Sequence, residues 1–164
     1  MGWIGAIALV ASLSVLQVPF VAQDKESCGA AALAMVMRYH GALASHDRIA
    51  AELHESELHG IRGSRLAEWA QEAGFFALAY EGDIEHLRAF LEKGRPLIVA
   101  LGADESLHDV VVVGFDPEAV EVIVHDPALG PERRIAGEEF ERRWRVSGHW
   151  TLLVLPQAVA GTGS

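Results

Sequence analysis

The chain has 164 residues and a formal net charge of −10, with 51% hydrophobic and 22% charged residues. That length and composition fit one globular domain with a sizeable core and exclude a disordered chain. The acidic balance argues against a nucleic-acid-binding face, which needs clustered Lys and Arg, and the single cysteine excludes an intrachain disulfide or a thiolate zinc site.

Residues 3–16, WIGAIALVASLSVL, are apolar apart from two serines. The run has the length of a signal-peptide h-region and is short for a membrane-spanning helix. Ala11, Ser12 and Ser14 are small enough to precede a cleavage site, but no Lys or Arg lies before the run. The expectation is an exported, periplasmic or membrane-associated protein, with any membrane association through residues 3–16 only. The alternative is a cytoplasmic protein whose first element is buried. A domain over 17–156 and a frayed tail over 157–164 complete the division.

Residues 18–23, VPFVAQ, read as extended, because Pro19 blocks a helix interior. Residues 28–40, CGAAALAMVMRYH, have strong helix propensity, stop at Gly41, and can be capped by Ser27 or Asp24. Apolar residues run nearly all round this helix, so it is expected to be central and buried. Ser45 caps a second helix over 46–56, with Ile49, Ala50 and Leu53 at helical spacing. A third spans 64–74, capped by Ser64 and ended by Gly74. FFALAYEG reads as a strand, and 83–94 as a fourth helix with Asp83 as its N-cap and Gly94 past its end.

After Gly94 the texture changes. PLIVAL (96–101), DVVVVGFD (109–116) and AVEVIVHD (119–126) are rich in β-branched residues, and DPEA joins the last two as a hairpin connection. A short strand over 132–137, a helical turn or two over 138–144 and a final strand over 149–156 follow. The fold class is α+β, with N-terminal helices packed on a C-terminal antiparallel sheet.

Cys28 falls in the first turn of the buried helix, where unpaired N–H groups and the positive end of the helix dipole favour a thiolate. A thiolate nucleophile needs a base, a group to orient that base, and an oxyanion donor. His108 lies just before the strand at 109–116, and Asp126 ends the next strand. Paired as a hairpin, the start of one lies beside the end of the other, so His108 and Asp126 become neighbours at one rim of the sheet. Gln23, five residues before Cys28, can donate its amide, and the Cys28 N–H can donate beside it. Gly29, after the nucleophile, is expected to leave room for backbone approach. His125 should face the other side of its strand and is a poor base. No metal site is expected: His54 and His59 are spaced wrongly for one helix face, and His40 and His46 straddle the helix end at Gly41.

The segments VPFVAQDKESCGAAALAMVMRYHG, LHDVVVVGFD, VEVIVHDPALG and EEFERRW, in that order, resemble peptidase family C39, the bacteriocin-processing, papain-like cysteine peptidases. The resemblance covers roughly residues 18–155. It implies a papain-like cysteine peptidase fold and hydrolysis of peptide bonds through a Cys–His–Asp triad, with leader peptides among the substrates and no cofactor or metal. Residue by residue, it implies Cys28 as nucleophile, His108 as general base, Asp126 as orienting acid and Gln23 as oxyanion donor. Ser27 stands where exporter-linked members usually have Asp, and the acidic Asp109 follows the histidine in place of an aromatic or apolar residue. The short Gln23-to-Cys28 spacing suits the stand-alone type, and the expected partner is a peptide or protein substrate, with no nucleic acid. The alternatives are a non-catalytic peptide-binding module, and another acyl transfer or amide hydrolysis on the same scaffold. Specificity is expected to lie in loops at 55–65 and 102–108.

Overall fold

The computed structural model describes residues 13–24, 26–54 and 63–157, with His54 as backbone alone. The apolar segment up to residue 12, residues 55–62 of the first expected specificity loop (His59 included) and residues 158–164 of the tail lie outside the described residues. Within them, the elements run α1 (Cys28–Tyr39), α2 (His46–His54), α3 (Gly63–Glu72), β1 (Phe75–Glu81), α4 (Ile84–Glu92), β2 (Leu97–Ala103), β3 (Ser106–Asp116), β4 (Glu121–Asp126), β5 (Gly130–Ala136), α5 (Gly137–Arg145) and β6 (Trp150–Pro156).

The strands form one antiparallel sheet in the order β1-β6-β2-β3-β4-β5. The final strand is therefore inserted between β1 and β2. β3 lies near the middle, and its alternation divides the core. Val111 and Val113 face the α1 side, with Ile98, Ile123, Leu152 and Val154. Val110 and Val112 face the other side, with Leu97, Leu101, Val122, Val124, Phe140 and Trp144. A sheet buried on both faces reads as a continuous apolar run, which is why the VVVV of β3 shows no polar alternation.

Helix α1 is buried from Gly29 through Met37. Four alanines bring it close to the sheet, and Leu33, Met35 and Val36 fill the space between α2, α3 and β3. Helix α5 covers the opposite face through Phe140 and Trp144, whose rings sit 5.2 Å apart. The N-terminal stretch is held as an extended strap: the Leu16 N–H donates to the Val113 carbonyl at 2.9 Å, and Val15, Leu16 and Phe20 pack on the α1-side core.

Several expected boundaries move. His108 lies within β3, which begins at Ser106, and residues 103–106 make a tight β2–β3 hairpin in place of a long loop. Helix α3 starts at Gly63, so Ser64 sits inside the first turn and does not cap it. Ser27 occupies the N-cap position of α1, but its side chain makes no capping bond, because it is engaged elsewhere. Asp83 caps α4 as expected, accepting from the His86 N–H at 2.9 Å. Gly74 and Gly94, with φ of +92° and +72°, provide the left-handed exits of α3 and α4.

Trp144 is fully buried, and its Nε1–H donates to the Trp150 carbonyl at 3.2 Å. Trp144→Ala is expected to lower stability by about 3–5 kcal/mol, read as a reduced midpoint in urea unfolding. A shift within error would mean that the α5 face contributes little to the fold.

Candidate active site

Helix α1 points its N-terminus at the end of the sheet where β3 begins and β4 ends. The antiparallel register pairs Val111 with His125 and Val112 with Val124, which carries His108 and Asp126 past one another at the rim. Strand parity turns both side chains to the same side. His108 Nε2 lies 2.7 Å from Asp126 Oδ1, with the two side chains 16% and 6% exposed. The other ring nitrogen, Nδ1, is left free of Asp126, and the Cys28 side chain is close enough to favour the charged imidazole. Gln23, Cys28, His108 and Asp126 thus line one open cavity of about 480 Å³, with Glu26, Leu107, Leu129 and Arg143. All four residues singled out in the sequence are brought together.

The electrostatics around His108 are asymmetric. Burial opposes its charge, but the Asp126 hydrogen bond and the Cys28 contact outweigh burial and push its pKa up to about 10. Burial would likewise raise Asp126, yet hydrogen bonds hold its carboxyl below the usual range. They come from His108 and from the Ala128 and Leu129 N–H groups, at 2.9 and 3.2 Å. Asp126 is therefore both the start of an Asp-Pro turn and the partner of the imidazole: the turn's amides fix the carboxylate that the histidine needs. Asp109, next along β3, points the opposite way, under α1. Burial pushes its carboxyl up to about 7, against the pull of the His108 charge.

Gly29 has a specific steric reason. A Cβ there would lie 2.8 Å from Asp109 Oδ2 and 3.1 Å from Leu66 Cδ1. What approaches behind the nucleophile is thus a carboxyl and a leucine of α3, rather than backbone.

The segment carrying Gln23 and Cys28 is anchored from three directions. The Gln23 N–H donates to the Pro127 carbonyl at 3.0 Å, tying it to the Asp126 turn. His125, which faces away from Cys28 as its strand position requires, donates from Nε2 to the Val18 carbonyl at 2.8 Å and accepts at Nδ1 from the Glu132 N–H at 3.1 Å. The third anchor was not read from the sequence. Buried Ser27 donates to the Asp24 carbonyl at 2.5 Å, accepts from the Asp24 N–H at 3.1 Å, and lies 2.7 Å from His46 Nε2. His46, at the start of α2, is 8% exposed; its only sequence signal is a histidine directly after a helix-capping serine. Arg143 was missed too. It lies beside the Phe140/Trp144 stripe of α5, whereas Arg142 and Arg145 fall on the far side.

His46→Leu would leave Ser27 without its cross-helix partner and slacken the turn between Gln23 and Cys28. The expected loss is about 1–3 kcal/mol of stability, read by thermal unfolding, with partial recovery in His46→Asn. Equal stability in all three proteins would show that His46 does not anchor the turn.

Known proteins share both sequence and fold with this chain. The family model described as the Peptidase_C39 like family matches residues 15–151. The chain is 28% identical over 123 residues to the lactococcin-G-processing and transport ATP-binding protein LagD of Lactococcus lactis subsp. lactis. That match covers 74% of this chain and 17% of LagD. Among solved structures, a C39-like chain from Bacillus anthracis superposes with a TM-score of 0.76 at 19% identity, over 90% of this chain and 99% of that one. A double-glycine-motif protease from an AMS/PCAT transporter, solved with the leader peptide, superposes with a TM-score of 0.72 at 26% identity, over 88% and 95%. The fold is that of the papain-like cysteine peptidases, and the chain belongs to the Peptidase_C39 like family.

Proposed function

We propose that the protein is a cysteine endopeptidase that uses Cys28, His108 and Asp126 on a peptide or protein substrate, with leader peptides as one class of it. The observation that carries this reading is that Cys28 and the hydrogen-bonded His108–Asp126 pair line one open cleft. The relatives support it: one is named for processing lactococcin G, and another was solved with a leader peptide.

The chemistry follows from the proton held on His108. Cys28 attacks as the thiolate of a thiolate–imidazolium pair, forming a sulfur–carbon bond to the substrate carbonyl. The oxyanion is met by the Gln23 amide and by the Cys28 N–H, which as a first-turn amide has no helical acceptor. The His108 imidazolium gives its proton to the departing amine as the carbon–nitrogen bond breaks. Neutral His108 then takes a proton from water, whose hydroxide displaces the sulfur, and the ion pair is restored. Asp126 steadies the ring through both proton transfers.

Two variants test the mechanism. Cys28→Ala is expected to lower peptide turnover at least about 10⁴-fold with an unchanged circular dichroism spectrum; unchanged turnover would overturn the assignment. The pH dependence has a definite sign. His108 acts in its protonated form, so kcat/KM on any cleaved peptide should hold until pH rises through about 10 and fall above it. Asp126→Asn removes a contribution that raises His108, so the basic limb should move toward neutrality. A limb that stays in place would detach Asp126 from the histidine.

A further inference from the structure

The cleft contains charged groups that the hydrolytic steps do not use. Glu26 lies on the wall next to α1, and Arg143 on the wall formed by α5. Arg143 is held unlike its neighbours. Arg142 and Arg145 reach carboxylates on their own helix, Glu139 and Glu141, and Arg134 on β5 bridges Asp116 and Glu121. Arg143 instead turns inward, and its Nε–H donates to the Gly102 carbonyl of β2 at 3.0 Å.

That anchor is stiffened nearby. Ser147, one turn further along, donates to the Ala100 carbonyl at 2.7 Å. A Cβ on Gly102 would lie 2.8 Å from Val146, so this end of α5 sits directly on β2. Arg143 is partly buried and lines the cavity, so with Nε held by Gly102 its two terminal nitrogens are the donors left to meet a ligand there. Among the described residues no carboxylate pairs with them. A planar fork held in this way matches a carboxylate with two parallel hydrogen bonds and loses little conformational freedom on binding it.

We propose that Arg143 is a specificity residue that binds a carboxylate of the peptide substrate on the α5 side of the cleft. The inference rests on the peptidase reading above. Because Glu26 stands on the α1 wall, the preference depends on position: an acidic group is favoured where the chain passes α5 and disfavoured where it passes Glu26. The exposed side chains of Leu107 and Leu129, at 52% and 67% exposure, border the same cavity and offer apolar contact to the residues between. The carboxylate can belong to a Glu or Asp side chain or to the peptide's C-terminus.

The test uses fluorogenic decapeptides in which one Glu is moved along the chain, each matched by its Gln twin, with free-acid and amide C-termini. Wild-type protein should show a Glu-over-Gln ratio in kcat/KM of about 10- to 100-fold at one or two positions. In Arg143→Gln that ratio should fall to about one, and in Arg143→Glu it should invert for a Lys twin at the same position. Because the readout is a ratio within one protein, a general loss of activity does not imitate it. A dependence confined to the free-acid peptides assigns the carboxylate to the chain end; one that persists in the amides assigns it to a side chain. Cleavage with a ratio near one at every position, or a preference surviving in Arg143→Gln, overturns the inference and leaves the peptidase reading standing. If nothing is cleaved, the peptidase reading falls. Fluorescence anisotropy of the same peptides on Cys28→Ala protein, with and without Arg143→Gln, then decides: Glu-dependent binding that Arg143→Gln abolishes supports the site, and charge-independent binding or none overturns it.

Discussion

The close approach of α1 to β3 is the constraint on which the site depends. Gly29 lets the helix lie so near the strand that a Cβ there would stand only 2.8 Å from Asp109 Oδ2. This places the first turn of α1, with its unpaired amides, beside the residue at which β3 reaches the rim. Cys28 belongs to one face of the sheet and His108, by strand parity, to the other, and they meet because both lie at the sheet's end. A side chain at position 29 would have to displace the ends of the Asp109 and Leu66 side chains that pack there.

Two carboxyls bear on His108, Asp109 next to it in sequence and Asp126 across the strand pair, and their surroundings send them opposite ways. Asp126 accepts from an imidazole and two backbone amides, which hold it ionised although it is buried. Asp109 lies beneath α1 and Leu66, and burial raises it to about 7. A positive imidazole is thus matched by one fully charged partner, while the carboxyl that could compete with it from the helix side carries its charge less readily.

The nucleophile's own segment contributes little regular structure, so its geometry is borrowed. Pro127 fixes Gln23, His125 fixes Val18, and His46 fixes Ser27. Each anchor comes from a different element: the turn after β4, the end of β4, and the start of α2. Gln23 and Cys28 hold their relation only in the folded chain, since an extended strap joined to a helix has no local interaction to set it.

The sequence by itself determined the elements and the candidate site residues. Helix propensity and glycine stops marked α1, and the β-branched runs marked β2, β3 and β4. The single cysteine at a helix start, with a histidine and an aspartate at opposite ends of adjacent strands, gave the site, because a hairpin's register brings those ends together whatever surrounds them. Local chemistry sufficed there. It did not suffice for Ser27, read as a cap yet drawn to His46 on α2, nor for Ser64, which lies inside a helix that starts one residue earlier. It could not place β6 between β1 and β2, since strand order is set by how two packed faces close and not by any one strand's pattern. Nor could it separate Arg143 from the arginines beside it. Only the seating of α5 on β2 turned that guanidinium inward, away from the carboxylates of its own helix and into the cleft.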